Sequence, residues 1–150
     1  MGIPSPVKIK KGGVEYVSRV DRTNYYIREL TRAAMRDVGK FVRRHQLDEV
    51  RKLRGLKRKN KRPLRAFQYW VRKRENDLIV GIKHNTWYGT QQEQGTHKQP
   101  RRQILRKSVL ENIDEIRKIE GQYLSAIENE NKTQGLISEE EYGLNEKEER

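Results

Sequence analysis

Few residues of the chain combine the type and the spacing that catalysis or metal binding needs. His45, His84 and His97 fall in three different segments, and none has a second histidine or a carboxylate at a spacing typical of a metal site. The chain also has no cysteine, which excludes disulfides, thiolate metal ligands and cysteine nucleophiles. The sequence therefore predicts no metal site and no bound cofactor.

Three carboxylates are the remaining candidates for chemistry. Glu93 is expected in an ordered neutral patch, whereas Glu75 and Asp77 belong to a predicted turn. A metal-dependent nuclease needs two or three convergent carboxylates to hold a metal against phosphate, and nothing pairs Glu93 with the other two. We therefore predict no catalytic residue and a protein that is not an enzyme. The nuclease alternative predicts Mg²⁺-dependent cleavage that Glu93→Gln abolishes.

The strongest local signal is a run of cations over residues 51–65 that contains no acid. Nine like charges in fifteen residues repel one another, and Gly55 and Pro63 discourage a helix, so a flexible loop is predicted. Its cations could contact DNA phosphates with salt-dependent affinity, or they could contact an acidic protein surface. Both interpretations stay open, because no aromatic residues for base stacking interleave the run. The predicted contact residues are Arg51, Lys52, Arg54, Lys57, Arg58, Lys59, Lys61, Arg62 and Arg65.

Charge divides the chain into a basic body and an acidic tail. Residues 1–127 carry a net +18 and residues 128–150 a net −5, which together give the +13 of the whole chain. We predict a single domain over residues 1–128 and an acidic, flexible tail over residues 129–150. No window approaches 18 apolar residues, so no contact with a membrane is predicted.

Hydrophobic periodicity predicts the first elements. Residues 1–20 are expected to form an N-terminal arm with one short edge strand. Apolar residues then recur every three or four positions, which predicts a long amphipathic helix that begins within residues 21–24 and ends within residues 46–53.

After Pro63 the period changes to two. The alternation over residues 67–71 predicts a strand, residues 75–77 supply a turn, and residues 78–82 form the second strand of an antiparallel hairpin. A third extended segment is predicted over residues 86–93.

A second long helix completes the predicted fold. Pro100 suits its first turn, and its apolar stripe runs from Leu105 to Ile127. The predicted class is α+β: a small antiparallel sheet packed with two long helices, one before and one after the strands. One face of such a sheet would be left for a partner.

The segment Glu93-Gln94-Gly95-Thr96, followed by residues 99–109, resembles the tail-completion or head-tail joining proteins of long-tailed bacteriophages. In that family a strand ends in a Glu-aromatic-Gly-Thr turn, and a Pro-Ala-Arg-Pro-Phe-Leu-Arg-Pro-Ala-like run opens the C-terminal helix. Ile104 stands in for the aromatic residue of that run. The departures are Gln94 for an aromatic residue, Arg101 for alanine, and Gln103 and Lys107 for prolines. The matching residues are Glu93, Gly95, Thr96, Pro100, Arg102, Leu105 and Arg106.

The motif also has a physical interpretation of its own. Gly95 can adopt the positive φ that ends a strand sharply, and Pro100 favours a helical φ, so a strand-to-helix corner is predicted. The order of the elements extends the resemblance over roughly residues 21–128.

The resemblance implies a virion structural protein of the siphophage neck. Such subunits form a homo-oligomeric ring, expected to be hexameric, between the connector or stopper protein and the tail-tube protein. Non-specific contact with genomic DNA in the lumen is expected. The implied location is the neck or the top of the tail in the virion, after assembly in the host cytoplasm. The alternative is a nucleic-acid-binding protein that uses the basic loop.

Overall fold

The computed structural model describes residues 3–53, 65–129 and 132–137. Two small antiparallel sheets and several helices make the chain a mixed α and β protein. None of the described helices is long and apolar enough to cross a membrane. The elements are β1 (Val7–Lys11), β2 (Val14–Ser18), α1 (Val20–Lys52), β3 (Phe67–Arg72), β4 (Asp77–Ile82), α2 (Trp87–Gln94), α3 (Ile104–Leu110) and α4 (Ile113–Ala126).

The chain divides into two compact units. The first unit holds Met1–Ala34 and Gly121–Arg150, and the second holds Met35–Glu120. The first unit contains the β1–β2 hairpin, and the second contains the β3–β4 hairpin. The prediction of a single domain over residues 1–128 stays a prediction.

The structure confirms the long first helix. Asp21 lies in the first turn of α1, and Arg51 and Lys52 lie in the last, which matches the charges that the helix dipole favours at each end. The buried positions recur every three or four residues, as in an amphipathic helix. They are Leu30, Ala33, Ala34, Val38, Val42, Gln46 and Val50.

The β3–β4 hairpin is also confirmed, with Phe67 opposite Ile82 and Val71 opposite Leu78. Asn76 adopts a positive φ of 54°, which is the left-handed conformation that a tight turn uses. Side chains on a strand alternate between the two faces, so Phe67 and Tyr69 share the inner face. The ring of Tyr69 lies so close to Gly39 of α1 that a Cβ there would overlap Tyr69 Cδ2.

The core of the second unit forms where α1, β3 and α3 meet. Phe67 and Val50 are fully buried beside Ala66 and Ile104. Leu53, Ile82, Tyr88 and Leu105 are partly buried against this cluster.

The prediction of a third strand over residues 86–93 is wrong, because Trp87–Gln94 form α2. Aromatic residues and threonine favour strands, which explains the prediction. Close packing at Gly89 accounts for the difference: a Cβ there would lie 2.7 Å from Ile82 Cγ2 and 2.9 Å from Ala66 Cβ. The helix therefore approaches β4 and the core more closely than a side chain would allow.

The second long helix is interrupted and begins later than predicted. Gln103 is left-handed, with a φ of 53°, so α3 starts at Ile104 rather than near Pro100. In a continuous helix the N–H of Asn112 would donate to Ser108 O. Instead the Asn112 side-chain amide donates to that oxygen at 2.9 Å, while the Asn112 N–H donates to Val109 O at 3.2 Å. An asparagine side chain that competes for a backbone partner separates α3 from α4.

The N-terminal arm contains a complete hairpin rather than one short strand. β1 pairs with β2 in antiparallel register, with Ile9 opposite Tyr16. Gly12 and Gly13 join the strands with φ angles of 58° and 81°. Positive φ at both central residues is characteristic of the tight hairpin turns that glycine favours.

In the first unit, residues 132–137 are helical although they belong to the predicted acidic tail. The hydroxyl of Thr133 donates to Ala126 O at 2.7 Å, and the amide of Gln134 donates to Tyr26 Oη at 3.0 Å. These bonds hold the segment against α1 and the end of α4. The remainder of the predicted tail, residues 138–150, lies outside the described residues.

Candidate functional site

The motif residues converge on one corner of the second unit, between α2 and α3. Glu93 lies at the end of α2, and its carboxylate accepts the N–H of Leu105 at 3.0 Å and the N–H of Arg106 at 3.4 Å. The first N–H groups of a helix have no partner within the helix, and a negative charge there interacts favourably with the helix dipole. Gln103, the residue at the cap position, makes no side-chain cap bond. Glu93 therefore caps α3 from the preceding helix.

Gly95 makes the sharp exit from α2. Its φ of 76° and ψ of 172° lie in a region that only glycine adopts readily. A Cβ on Gly95 would also lie 2.7 Å from Arg101 N and 2.9 Å from Arg101 Cα. Both conformation and space therefore require glycine at this position.

A tight loop follows and returns the chain to α2. Thr96 and Gln99 exchange backbone hydrogen bonds of 2.9 and 3.0 Å. Arg102 then donates its N–H to Gln92 O at 3.2 Å, and its guanidinium donates to the Gln92 side chain. Pro100 is exposed between these contacts. The loop is therefore fixed at Thr96 and at Arg102.

The residues after the loop connect the corner to the core. Ile104 is buried in the core cluster, and Leu105 packs against it. Arg106 contributes its N–H to Glu93, whereas its side chain is exposed. The predicted strand-to-helix corner is thus a helix-to-helix corner, because Glu93 lies on α2 rather than on a strand.

The structure places only part of the basic segment. Arg51 and Lys52 belong to the last turn of α1 rather than to a loop, which corrects the predicted boundary. Arg51 contacts Asp48 at 2.8 Å, and Lys52 contacts Glu49 at 2.6 Å. The hydrogen bond to Glu49 raises the pKa of Lys52 above its ordinary value.

These two cations are therefore paired within their own helix. Arg65 is exposed just before β3. Residues 54–64 lie outside the described residues. They include the predicted contacts Arg54, Lys57, Arg58, Lys59, Lys61 and Arg62.

The carboxylates that a nuclease would need already have structural partners. Glu93 caps α3, while Glu75 and Asp77 both pair with Arg72 at the β3–β4 turn. Within the described part of the chain, no three histidine or acidic residues are grouped as potential metal ligands. His45 contacts Phe41 edge to face, with ring centroids 4.6 Å apart. The observed geometry of these side chains is that of helix caps, ion pairs and packing.

The second unit presents two apolar patches to solvent. The sheet patch is formed by Trp70 and Ile79, which are cross-strand neighbours on the outer face of the β3–β4 hairpin and are 41% and 39% exposed. The helix patch is formed by Val109, Leu110 and Ile113 at the α3–α4 junction, all of which are exposed. The open sheet face is predicted from the sequence, whereas the helix patch is not, because it depends on the break between α3 and α4.

A buried polar contact within the second unit was also missed. Gln46 is completely buried on α1, and its amide donates to Ser108 Oγ of α3 at 3.2 Å. Ser108 Oγ in turn donates to Leu105 O at 2.8 Å. Gln46 occupies a position of the apolar stripe of α1, and this misplaced polar residue was the only sequence signal for the contact.

Comparison with known proteins leaves the family undetermined. The chain matches no protein-family model, no curated protein and no solved structure. The resemblance to tail-completion proteins therefore rests on the motif over residues 93–109 and on the order of the elements.

Proposed function

We propose that this chain is a subunit of a homo-oligomeric ring that joins head to tail in a long-tailed bacteriophage. The observation that carries the proposal is the pair of exposed apolar patches on one compact unit, the sheet patch and the helix patch. A closed ring requires two different contact surfaces on each subunit, one for each neighbour. Exposed apolar side chains grouped in this way are typical of protein interfaces.

The α2–α3 corner supports the proposal. Glu93, Gly95 and Arg102, which match the family motif, each make a contact that fixes the corner. The corner leads directly into α3, which begins the helix patch with Val109 and Leu110. A corner fixed in this way holds one contact surface in a defined orientation, which reduces the entropy lost on assembly.

The ring is proposed to be hexameric and to lie in the neck or at the top of the tail. Its neighbours are the connector or stopper protein on one side and the tail-tube protein on the other. The cations of residues 54–65 are proposed to contact DNA in the lumen or an acidic surface of a neighbour. Action by protein assembly, without catalysis, is part of the same proposal.

Charge substitutions in the two patches test the ring. Trp70→Glu removes the sheet patch, and Leu110→Glu removes the helix patch, whereas Gln122→Glu places the same charge at an exposed position of α4. We expect wild type and Gln122→Glu to form rings, and each patch variant alone to remain monomeric. Native mass spectrometry measures the masses.

A mixture of the two patch variants sharpens this test. Each variant retains one intact surface, so an equimolar mixture is expected to form dimers and no rings. Rings in either single variant would contradict the assignment of the patches, and a wild-type protein that remains monomeric with its neck partners would contradict the ring itself.

A second candidate function is binding to nucleic acid. It is favoured by the six cations and no acid among residues 54–64. Each cation that contacts a phosphate releases a counterion, so affinity should fall steeply between about 50 and 200 mM salt. Replacing Lys57, Lys59 and Lys61 with glutamine should flatten this dependence. No binding to duplex DNA at low salt would exclude this candidate.

A further inference from the structure

The β1–β2 hairpin of the first unit has one apolar face. Ile9 pairs with Tyr16 in the register, and Val7 and Val14 lie on the same side of the hairpin. These four side chains are between 47% and 70% exposed. The described residues therefore leave this face open to solvent.

The same hairpin is basic. Lys8 and Lys10 lie on the side opposite the apolar face, Lys11 ends β1 opposite Val14 on the apolar face, and Arg19 follows β2. Glu15 is the one acid between residues 7 and 19, and it lies 3.7 Å from Lys10. The hairpin thus combines an open apolar face with an excess of positive charge.

A two-stranded hairpin is at best marginally stable in water when nothing covers its apolar face. In the described part of the chain, β1 and β2 pair only with each other, so both outer edges keep backbone N–H and C=O groups available for a further strand. A segment that fits this surface must therefore combine apolar side chains with negative charge.

The last described segment, residues 132–137, contacts α1, the helix that follows the hairpin. Gln134 donates to Tyr26 on α1 at 3.0 Å. Tyr26 lies six residues after Val20, the first residue of α1, which corresponds to about 9 Å along the helix axis. The last described segment, residues 132–137, therefore contacts α1 within about two helical turns of the hairpin.

Further cations lie where α1 begins. An open pocket of about 200 Å³ is lined by Arg19 and Arg22, together with Glu128 and Thr133. The guanidinium of Arg22 also lies over the ring of Tyr26, 5.6 Å from its centroid. An acidic segment that passes this region would meet positive charge before it reaches the hairpin.

Residues 138–150 have the required chemistry. They contain six acidic and two basic residues, and two apolar side chains, Tyr142 and Leu144, two positions apart. In an extended chain, residues two apart lie on the same side, so both could face one apolar surface. Thirteen residues span at most roughly 43 Å, which exceeds the distance estimated along α1.

We propose that the β1–β2 hairpin binds the acidic segment 138–150 of its own chain. A short tether gives the segment an effective concentration in the millimolar range, which favours this contact over the same contact with a second copy. Opposite charges attract less strongly as salt increases, so high salt weakens the contact. The proposed contact involves neither patch of the second unit and does not depend on ring assembly.

Hydrogen exchange at the amides of β1 and β2 tests the proposal in the full chain. The triple substitution Glu139→Gln, Glu140→Gln and Glu141→Gln removes three negative charges without touching the hairpin. We expect these amides to exchange about tenfold faster in the variant, since each exposed charge contact contributes modestly. Wild type in 1 M salt should lose the same protection.

The control substitutes three exposed acids of α4, with Asp114→Asn, Glu115→Gln and Glu120→Gln, and gives the same change in net charge. Exchange in the hairpin should be unchanged in this control. Equal exchange in wild type and in the triple tail variant would overturn the proposal. Protection that increases with protein concentration would assign the contact to a second copy and would also overturn it.

Discussion

The two hairpins of this protein have similar strand lengths and opposite surroundings. In the β3–β4 hairpin, Phe67 is fully buried and Tyr69 packs closely on Gly39. In the β1–β2 hairpin, the paired residues Ile9 and Tyr16 lie on the apolar face and remain exposed. The β3–β4 hairpin is thus part of a core, whereas the β1–β2 hairpin has a surface that a binding segment can cover.

The glycines of the two units show the same contrast. Gly39, Gly89 and Gly95 lie where a Cβ would collide with neighbouring atoms. Gly12 and Gly13 have open space around the Cβ position and are needed only for their positive φ. These three glycines of the second unit are therefore required by close packing, whereas the two glycines of the β1–β2 hairpin are required only by the turn.

The largest difference is expected between Phe67→Ala and Ile9→Ala. Removing a fully buried aromatic side chain should lower the free energy of unfolding by about 3–5 kcal/mol. Ile9 is half exposed, so its truncation should cost about 0.5 kcal/mol or less. Urea denaturation measures both values, and a similar loss in the two variants would contradict the contrast between the hairpins.

A smaller difference is expected between Gly95→Ala and Gly12→Ala. Both residues have positive φ, but only at Gly95 does the new Cβ also meet the backbone of Arg101. We expect a loss of about 3 kcal/mol for Gly95→Ala and about 1 kcal/mol for Gly12→Ala. Urea midpoints at constant slope report these values. Equal losses would show that the corner is not closely packed.

The smallest expected effect is on the stability at acidic pH. A hydrogen bond from Arg72 holds the pKa of Asp77 below its ordinary value of 3.8. Because the folded-state pKa is lower, the stabilisation by ionised Asp77 is complete above the ordinary pKa and is lost as the pH falls through the lowered value. Wild type should therefore lose slightly more stability than Asp77→Asn on acidification from about pH 5 to about pH 2. An equal loss of stability in the two proteins, measured by urea denaturation at each pH, would contradict the stabilisation by ionised Asp77.

Regular periodicity made α1 and the β3–β4 hairpin predictable, because their buried positions recur at 3.6 or 2 residues. Two predictions are wrong for specific structural reasons: the strand over residues 86–93 and the uninterrupted second helix. Gly89 allows α2 to pack closely on β4, and Asn112 interrupts the second helix through a side-chain hydrogen bond to Ser108 O. Neither cause is a periodic feature, and both depend on neighbours in space.

The β1–β2 hairpin was predictable in principle. Val7, Ile9, Val14 and Tyr16 alternate with polar residues on both sides of Gly12-Gly13, which is the pattern of a tight hairpin. At the candidate site, the sequence identified the residues of the corner but assigned Glu93 to a strand. Its capping of α3 depends on a contact across twelve positions of the chain, which no local pattern reveals.

We propose that two surfaces of the second unit build the ring. The mass of this chain, measured by native mass spectrometry alone and with the proposed connector and tail-tube partners, tests the ring most directly. We predict a closed species of six copies that Trp70→Glu and Leu110→Glu each abolish. A mass of one copy under every condition would contradict the claim.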